Sequence, residues 1–433
     1  MHDIDITKVP YLKTKIPGPK SSEMLAAQQD YETGSLSYPK VFPIAIKSTN
    51  GSVIEDVDGN LLIDWLTGIS VLNLGYSEFI RDAVREEMES TWHALEIPTE
   101  ARIEFLKALR SSFPPNMRDY KTIFGISGAD ACETAVNIAH EVSGKDAYTI
   151  VFEGAYHGVS GGIISATYES KYKSGNNSPG FKVIRSPYPG ILWEDKSVDD
   201  VIEYIQTAIN GNNVDSLLVE PILGEGGYVV PPEGFLKALR KLCDNNNIIM
   251  IVDEVQSGMG RTGKMWAFEH ERIKPDIVCV GKSVGGGIPM SLVYYRKDFD
   301  DKLPTPFHLG TYRANPLALA AGKEVIKRTP ALLDSVTERG KNLVKAFREM
   351  DSDVIAQVRG KGFMIGIELG NNGKPMDASF MARYKKAMIE NGVIMHTCGH
   401  YGNTFRFISA LNIDQELLYT GIEIFEKVVK TKW

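Results

Sequence analysis

Apolar and polar positions alternate in blocks through the middle of the chain, where short Val- and Ile-rich runs are separated by segments with helical periodicity. Runs such as 248–252 and 276–280 are typical of strands buried on both faces of a parallel sheet. The same pattern predicts strands at 120–126, 147–152, 162–166, 181–184, 216–219 and 291–295. It predicts helices at 129–142, 198–209, 234–245 and 316–327. Strand and helix in alternation indicate a doubly wound, mostly parallel α/β sheet.

The two ends of the chain follow a different pattern. Residues 1–40 are polar and predict an arm, and a hairpin signal at 58–60 separates the last two of three predicted strands, at 45–47, 51–56 and 61–65. After Pro330 the pattern predicts an α+β unit with a long helix, one strand at 358–368, a helix at 378–391, a strand at 404–408 and a helix at 414–429. We therefore predict three segments: an arm with part of a small domain (1–60), a large domain (61–328) and the C-terminal small domain (329–433).

Composition narrows the function classes. The 433 residues carry a net charge of -7, which argues against nucleic-acid binding because that needs a basic surface. No apolar run approaches the length of about 18 residues that a membrane-spanning helix needs, and residues 1–20 lack the apolar core of a signal peptide. The four cysteines are scattered without a paired spacing, as is usual in a reducing compartment. These features predict a cytoplasmic protein.

Two polar residues stand where buried strands end. Asp253 follows the run 248–252, and Lys282 follows the run 276–280 in a glycine-rich stretch. Ligands of parallel sheets bind at the carboxyl ends of the strands, so both side chains are expected at one edge. A carboxylate and an amine there suit a cofactor with a pyridinium nitrogen and an aldehyde, as in pyridoxal phosphate (PLP). We predict PLP as the cofactor, Asp253 and Lys282 as catalytic residues, and no metal.

Two further motifs follow predicted strands. Ser127-Gly128-Ala129 opens a predicted helix, where small residues and backbone N–H groups suit a phosphate, although an ordinary strand–helix turn has the same pattern. Tyr156 and His157 follow the strand 147–152. An aromatic ring at this place suits stacking on a planar cofactor, whereas core packing and a structural hydrogen bond are the alternatives.

Charged residues supply the remaining candidates. Glu220 and Glu225 lie in a glycine-rich loop after the strand 216–219, where they either bind an arginine or a water, or are simply solvated. Arg406 lies within an apolar strand, so its guanidinium needs an anion, which is either a substrate carboxylate or a structural ion-pair partner.

Two other motifs are weak indications of a nucleotide site and a metal site. The segment 258–264 has the spacing of a phosphate-binding loop, but Met265 stands where Ser or Thr must hold magnesium, which argues against an NTPase. His396, Cys398 and His400 lie within five residues of one another. No fourth ligand is near them in the sequence, so a polar loop is favoured over a zinc site.

Taken in order, the motifs resemble those of the class III aminotransferases, which are PLP-dependent enzymes of fold type I. The resemblance runs from residue 39 to the C-terminus and is strongest in the stretch 253–263 with the lysine that follows it. Supporting motifs occur in the family's order at 56–60, 127–129, 156–158, 220–227, 281–287, 310–316 and 359–362. Within the family, the chain is most similar to 4-aminobutyrate and related ω-amino acid aminotransferases.

The resemblance implies how the cofactor is held. Lys282 would carry it as a Schiff base, and Asp253 would pair with the pyridine nitrogen. Val255 and Tyr156 would cover the two faces of the ring, and Gln256 would reach the phenolic oxygen. All five positions match the family's motifs.

The family also implies a phosphate site shared between two subunits of a homodimer. The phosphate would lie at the 127–129 turn, and Thr311 would reach it from the partner subunit. We add Ser127, His157 and Glu220 to the cofactor-binding candidates.

Substrate recognition is implied at three positions. Arg406 would bind the α-carboxylate of glutamate or 2-oxoglutarate, and Glu225 would neutralise this arginine when an ω-amino donor binds. Ile69 would line the substrate pocket. The expected reaction moves an amino group from an ω-amino acid of the 4-aminobutyrate type, or a related amine, to 2-oxoglutarate or another 2-oxo acid.

Three departures from the family pattern, at Tyr76, Leu223 and Arg313, bear on the substrate more than on the cofactor. The main alternative is a PLP-dependent amino-acid racemase or epimerase on the same scaffold. Glu225, where that group has Asp, favours transamination. A structural protein without activity is disfavoured because folding alone does not require the Asp253 and Lys282 pair.

Overall fold

The computed structural model describes residues 6–144, 146–175, 178–191 and 196–431. The helices are α1 Pro19–Tyr31, α2 Tyr38–Val41, α3 Thr67–Ser70, α4 Glu78–Ser90, α5 Glu100–Ser112, α6 Gly128–Ser143, α7 Val198–Gly211, α8 Phe235–Asn246, α9 Pro316–Arg328, α10 Leu333–Arg348, α11 Ala378–Glu390 and α12 Gln415–Lys430. The strands are β1 Ile46–Asn50, β2 Val53–Asp56, β3 Leu61–Asp64, β4 Lys121–Gly125, β5 Tyr148–Phe152, β6 Val183–Ser186, β7 Val214–Val219, β8 Ile249–Asp253, β9 Ile277–Val280, β10 Ser291–Tyr295, β11 Ile355–Lys361, β12 Met364–Asn371, β13 Lys374–Pro375, β14 Val393–Ile394, β15 His396–Cys398 and β16 Thr404–Phe407.

A seven-stranded sheet with the order β4-β10-β9-β8-β7-β5-β6 forms the centre of the molecule. Only β10 runs against its neighbours, and the pairs β9–β8, β8–β7, β7–β5 and β5–β6 are parallel. The predicted α/β class and the mostly parallel sheet are confirmed. One strand prediction is wrong: the apolar run 162–166 forms the 3₁₀ helix Gly161–Ser165.

The central strands are apolar on both faces because helices cover both sides of the sheet. Along β8, Met250 and Val252 belong to one hydrophobic cluster and Ile251 belongs to another. The first cluster contains residues of α5, α8 and α9, and the second contains the apolar face of α6. This two-sided burial explains the continuous Val and Ile runs in the sequence.

Two smaller sheets bring the ends of the chain together. β1, β2, β3 and β14 form one sheet, so the N-terminal strands pair with a strand from near residue 393. The other sheet has the order β11-β12-β16-β15, with β13 beside β12. The single strand predicted at 358–368 is wrong, because the chain reverses at Gly362, where φ is +55°, and forms the β11–β12 hairpin. The domain boundaries stay a prediction.

Within the described ranges, no helix combines the length and the apolar content needed to cross a membrane.

Candidate functional site

A cavity of about 810 Å³ lies at the carboxyl edge of the seven-stranded sheet, beside the sheet formed by β11, β12, β16 and β15. Strands β5, β7, β8 and β9 end at this edge, and each is followed by polar residues that reach the cavity. Every site residue predicted from the sequence lines this cavity except Thr311; the lining set contains Ile69, Ser127, Gly128, Ala129, Tyr156, His157, Glu220, Glu225, Asp253, Val255, Gln256, Lys282 and Arg406.

Asp253 is the last residue of β8 and is almost fully buried. Its Oδ2 lies 2.7 Å from Nδ1 of His157 and accepts a hydrogen bond from the Cys132 thiol at 3.2 Å, while Oδ1 accepts from the Val255 amide at 2.9 Å. Burial alone would raise the pKa of Asp253, but the hydrogen bond and charge of His157 hold it below its usual range. Asp253 is therefore a buried carboxylate that stays ionised.

His157 carries the matching positive charge. Burial would lower its pKa, yet the hydrogen bond to Asp253 raises the pKa to about 10. Cys132 stays a thiol because its pKa is raised well above the ordinary value, so it remains a hydrogen-bond donor. The sequence gave no sign of Cys132, since a cysteine on the apolar face of α6 has the pattern of an ordinary core residue.

Lys282 begins a short 3₁₀ helix two residues after the end of β9, on the strand next to Asp253. Its φ of +48° is a left-handed conformation that is uncommon outside glycine and is often stored at functional sites. Burial lowers the pKa of its amine, and the charges of Asp253 and Glu220 only partly oppose this. A lowered pKa makes the neutral, nucleophilic amine more available.

The N-terminus of α6 opens into the same cavity. Ser127 caps the helix by accepting from the Asp130 amide, and Gly128 and Ala129 form its first turn. A Cβ on Gly128 would lie 2.8 Å from Val255, and a Cβ on Gly158 would lie 2.3 Å from the Cβ of Ala129. These close approaches leave backbone N–H groups at the cavity wall, which suits a phosphate.

The remaining groups fit the ring and side groups of PLP. Val255 and Tyr156 both line the cavity, and the side-chain oxygen of Gln256 is buried without a hydrogen-bond partner among the described residues. Glu220 accepts from the Tyr156 and Gly224 amides, each at 2.8 Å, and burial raises its pKa to about 7. A buried carboxylate, a lysine with a lowered pKa, a helix N-terminus and an unpartnered amide form a donor set that matches PLP.

Arg406 extends from β16 and is fully buried in the cavity wall. Its Nη2 lies 2.9 Å from Oε2 of Glu225 and donates to the Thr397 carbonyl, while Nε and Nη1 have no partner in the described part of the chain. Tyr172 donates to the other oxygen of Glu225 at 2.6 Å. The charge of Arg406 and this hydrogen bond lower the pKa of Glu225, although burial would raise it.

Several lining residues were not predicted from the sequence. Lys171 and Tyr172 come from a 3₁₀ turn, Lys385 comes from α11, and His396 comes from β15. Burial, together with the charges of Arg406, Lys385 and Lys171, lowers the pKa of His396 to about 4. His396 is therefore neutral near pH 7.

Ile69 lines the cavity from α3, where its φ is +61° and the φ of Gly68 is +60°. A left-handed conformation is strained for a β-branched residue, so surrounding contacts must hold it in place.

Thr311 is exposed and lies outside the cavity of its own chain; its carbonyl is 2.7 Å from Nε2 of His93. Of the three departures from the family pattern, Leu223 is buried in the core. Arg313 forms an ion pair with Asp130 at 3.0 Å.

The two weaker motifs also have a structural explanation. In the segment 258–264, Arg261 is fully buried and donates to the Ser409 and Phe363 carbonyls, so this loop joins parts of the chain that are distant in sequence. His396 and Cys398 line the cavity, whereas His400 pairs with Glu169 at 2.7 Å. The structure thus separates His400 from the other two residues of this motif.

The sequence matches the family model described as "Aminotransferase class-III" over residues 35–429. A 4-aminobutyrate aminotransferase from Mycobacterium tuberculosis is 34% identical over 95% of this chain and 96% of its own length. A diaminobutyrate–2-oxoglutarate aminotransferase from Haemophilus influenzae is 33% identical, over 94% of this chain and 95% of its own. An alanine/serine racemase from Pyrococcus horikoshii is 32% identical, over 99% and 94% respectively.

Solved structures share the fold. An ornithine aminotransferase from Toxoplasma gondii, whose structure is described with partial occupancy of PLP at the active site, superposes with a TM-score of 0.82. It is 26% identical and the match covers 98% of this chain and 96% of that one. A transaminase from the marine bacterium Virgibacillus has a TM-score of 0.86 at 20% identity over 94% and 98% of the two chains, which is a likeness of fold alone.

Proposed function

Because the chain belongs to the class III aminotransferases, a PLP-dependent family, we propose that it moves an amino group from an ω-amino acid of the 4-aminobutyrate type to 2-oxoglutarate or another 2-oxo acid. The observation that carries this proposal is the buried ion pair between Arg406 and Glu225, in which Nε and Nη1 of Arg406 still lack a partner among the described residues.

The residues that would hold the cofactor have roles that fit their positions in the cavity. When bound, PLP supplies an aldehyde that takes up the amino group and a ring that withdraws electrons from the substrate carbon. Asp253, kept ionised by His157, would hold a proton on the ring nitrogen. Val255 and Tyr156 would cover the two ring faces, and the amide of Gln256 would reach the phenolic oxygen.

The proposed phosphate site is the N-terminus of α6, at Ser127, Gly128 and Ala129. We assign two tasks to Lys282. Its Nζ would hold the cofactor covalently in the resting enzyme, and after release it would move a proton at the substrate carbon. Its lowered pKa serves both tasks, because each begins from the neutral amine.

The Arg406–Glu225 pair would then distinguish two kinds of substrate. An ω-amino donor has no α-carboxylate, so it would leave the pair closed. A glutamate-like substrate has one, which would displace Glu225 and take the free N–H groups of Arg406 in a two-point contact. The hydrogen bond from Tyr172 would hold Glu225 in the closed position between these events. One site can thus serve both half-reactions.

We also propose a homodimer in the cytoplasm. Thr311 is exposed next to His93, and large apolar side chains are exposed on both of these segments: Trp92, Leu95, Ile97, Leu309 and Tyr312. An exposed apolar area of this kind is typical of a protein–protein interface. The four free cysteines support a reducing compartment.

The test is to incubate the holoenzyme with single ω-amino donors and 2-oxoglutarate and to measure glutamate. A parallel assay follows the optical purity of single α-amino acids without any 2-oxo acid. We expect glutamate from ω-amino donors and unchanged optical purity. Racemisation without an acceptor, as the name of the Pyrococcus horikoshii relative suggests for that protein, would overturn the proposal.

A further inference from the structure

Two lysines, Lys171 and Lys385, line the cavity together with three carboxylates, those of Glu220, Glu225 and Asp253. All three carboxylates are engaged elsewhere, with backbone amides, an arginine and a histidine respectively. Within the described residues, neither lysine forms an ion pair. Lys171 is exposed to solvent, whereas Lys385 is half-buried, where an ammonium group without a counterion is costly, so an anion in the cavity would stabilise it.

The two lysines come from different elements and line the same cavity. Lys385 lies on the same face of α11 as Ala378 and Met381, and these three residues, spaced by three and four positions, all line the cavity. Burial lowers the pKa of Lys385, and repulsion by the charge of Lys171 lowers it further. A bound anion would relieve this repulsion.

Arg406 is not expected to bind the same anion. Its charge is already matched by Glu225 in the closed pair, and its open N–H groups suit the α-carboxylate in the proposed function. His396, which lies among these cations, is neutral near pH 7 and adds no charge. With the pair closed, the lysines that line the cavity without an ion pair among the described residues are Lys171, Lys385 and Lys282, and Lys282 would hold the cofactor.

We propose that Lys171 and Lys385 bind the substrate carboxylate that is farthest from the reacting carbon. In 2-oxoglutarate this is the γ-carboxylate, and in an ω-amino donor it is the single carboxylate. The assignment rests on the proposed function and adds to it a preference for substrates with an anionic far end. An ω-amino acid would thus be favoured over a simple amine, and a dicarboxylic acceptor over a monocarboxylic one.

The experiment titrates the holoenzyme with glutarate and with pentanamide, which has the same number of carbons but no charge, and follows the absorbance of the bound cofactor. For Lys385→Met and Lys171→Met we expect the Kd of glutarate to rise about tenfold, as for the loss of a charge-assisted hydrogen bond, with the Kd of pentanamide unchanged. Lys385→Arg should recover most of the affinity.

Lys386→Met is the matched control, because Lys386 is the next residue of α11, is exposed and pairs with Glu390 instead of lining the cavity. It should bind glutarate like the wild type. Unchanged glutarate affinity in the Lys171→Met/Lys385→Met double variant, or an equal loss for pentanamide, would overturn the subsite.

The two proposals fail in different ways. If the wild type makes no glutamate from any ω-amino donor, the proposed function is wrong, yet the difference between glutarate and pentanamide would still depend on Lys385. If the wild type transaminates and the lysine variants bind glutarate normally, only the subsite is wrong.

Discussion

At the scale of single residues, the chemistry depends on where Lys282 and Asp253 leave the sheet. Asp253 ends β8, and Lys282 follows β9 in a left-handed conformation that turns its amine into the cavity. The surroundings favour the charged form of one group and the neutral form of the other. His157 keeps Asp253 charged, whereas burial favours the neutral form of Lys282.

This environment of Lys282 predicts a pH dependence. Its pKa lies below the ordinary 10.5, so the neutral amine that attacks the cofactor aldehyde is present at lower pH than in free lysine. We expect the rate of PLP incorporation into the apoenzyme to rise with pH along a curve whose midpoint lies below 10.5. Stopped-flow absorbance measures this rate, with an Nα-blocked lysine as the reference reaction. A midpoint at or above that of the reference would contradict the assignment.

Sequence reasoning identified Asp253 and Lys282 because a polar residue at the end of a buried strand is conspicuous. It missed Cys132, Lys171 and Lys385 for a physical reason. A cysteine on an apolar helix face and lysines on a turn and a polar helix face follow the ordinary pattern. Their contact with the cavity depends on how distant elements pack, which a local pattern does not contain.

At the scale of elements, the junction between α6 and the loop after β5 limits the space at the proposed phosphate site. Gly158 has a φ of +122°, and any Cβ there would collide with Ala129 in the first turn of α6. The helix N-terminus must therefore shift if Gly158 is replaced.

We expect Gly158→Ala to weaken PLP binding at least about tenfold, because donors at a phosphate act only within hydrogen-bond distance. Equilibrium dialysis of the apoenzyme with PLP measures the affinity. Gly211→Ala, at the end of α7, is the control, since a Cβ there meets nothing within 4 Å. Equal affinities in the two variants would show that this close approach does not shape the site.

Most elements were predicted because their apolar runs and helical periods are long. The strand prediction at 162–166 was wrong because short apolar runs do not distinguish a strand from a buried turn. Both edges of β5 are already paired, with β6 and β7, so the segment packs as a 3₁₀ helix instead. The β11–β12 hairpin was read as one strand because its loop, Gly362-Phe363, has only two residues.

At the scale of the whole molecule, the exposed apolar segments around Thr311 predict the assembly. Tyr312 is 72% exposed and packs edge-on against His93. Tyr312→Glu should break the proposed dimer and lower PLP affinity, since the partner's loop would no longer complete the phosphate site. Light scattering gives the mass. Tyr419→Glu, which replaces a 56% exposed tyrosine on α12, should stay dimeric. A Tyr312→Glu protein with wild-type mass and affinity would contradict the proposed interface.

The central claim is that Arg406 serves one half-reaction and is set aside by Glu225 in the other. Single-turnover spectroscopy of Arg406→Ala, with each half-reaction measured separately, tests it most directly, and Arg383→Ala, at an exposed arginine of α11, is the control. The 2-oxoglutarate half-reaction should lose roughly 2–5 kcal/mol, as for removal of one member of a buried charge pair, while the ω-amino half-reaction changes far less. Equal losses in both half-reactions would contradict the claim and leave Arg406 with a structural role.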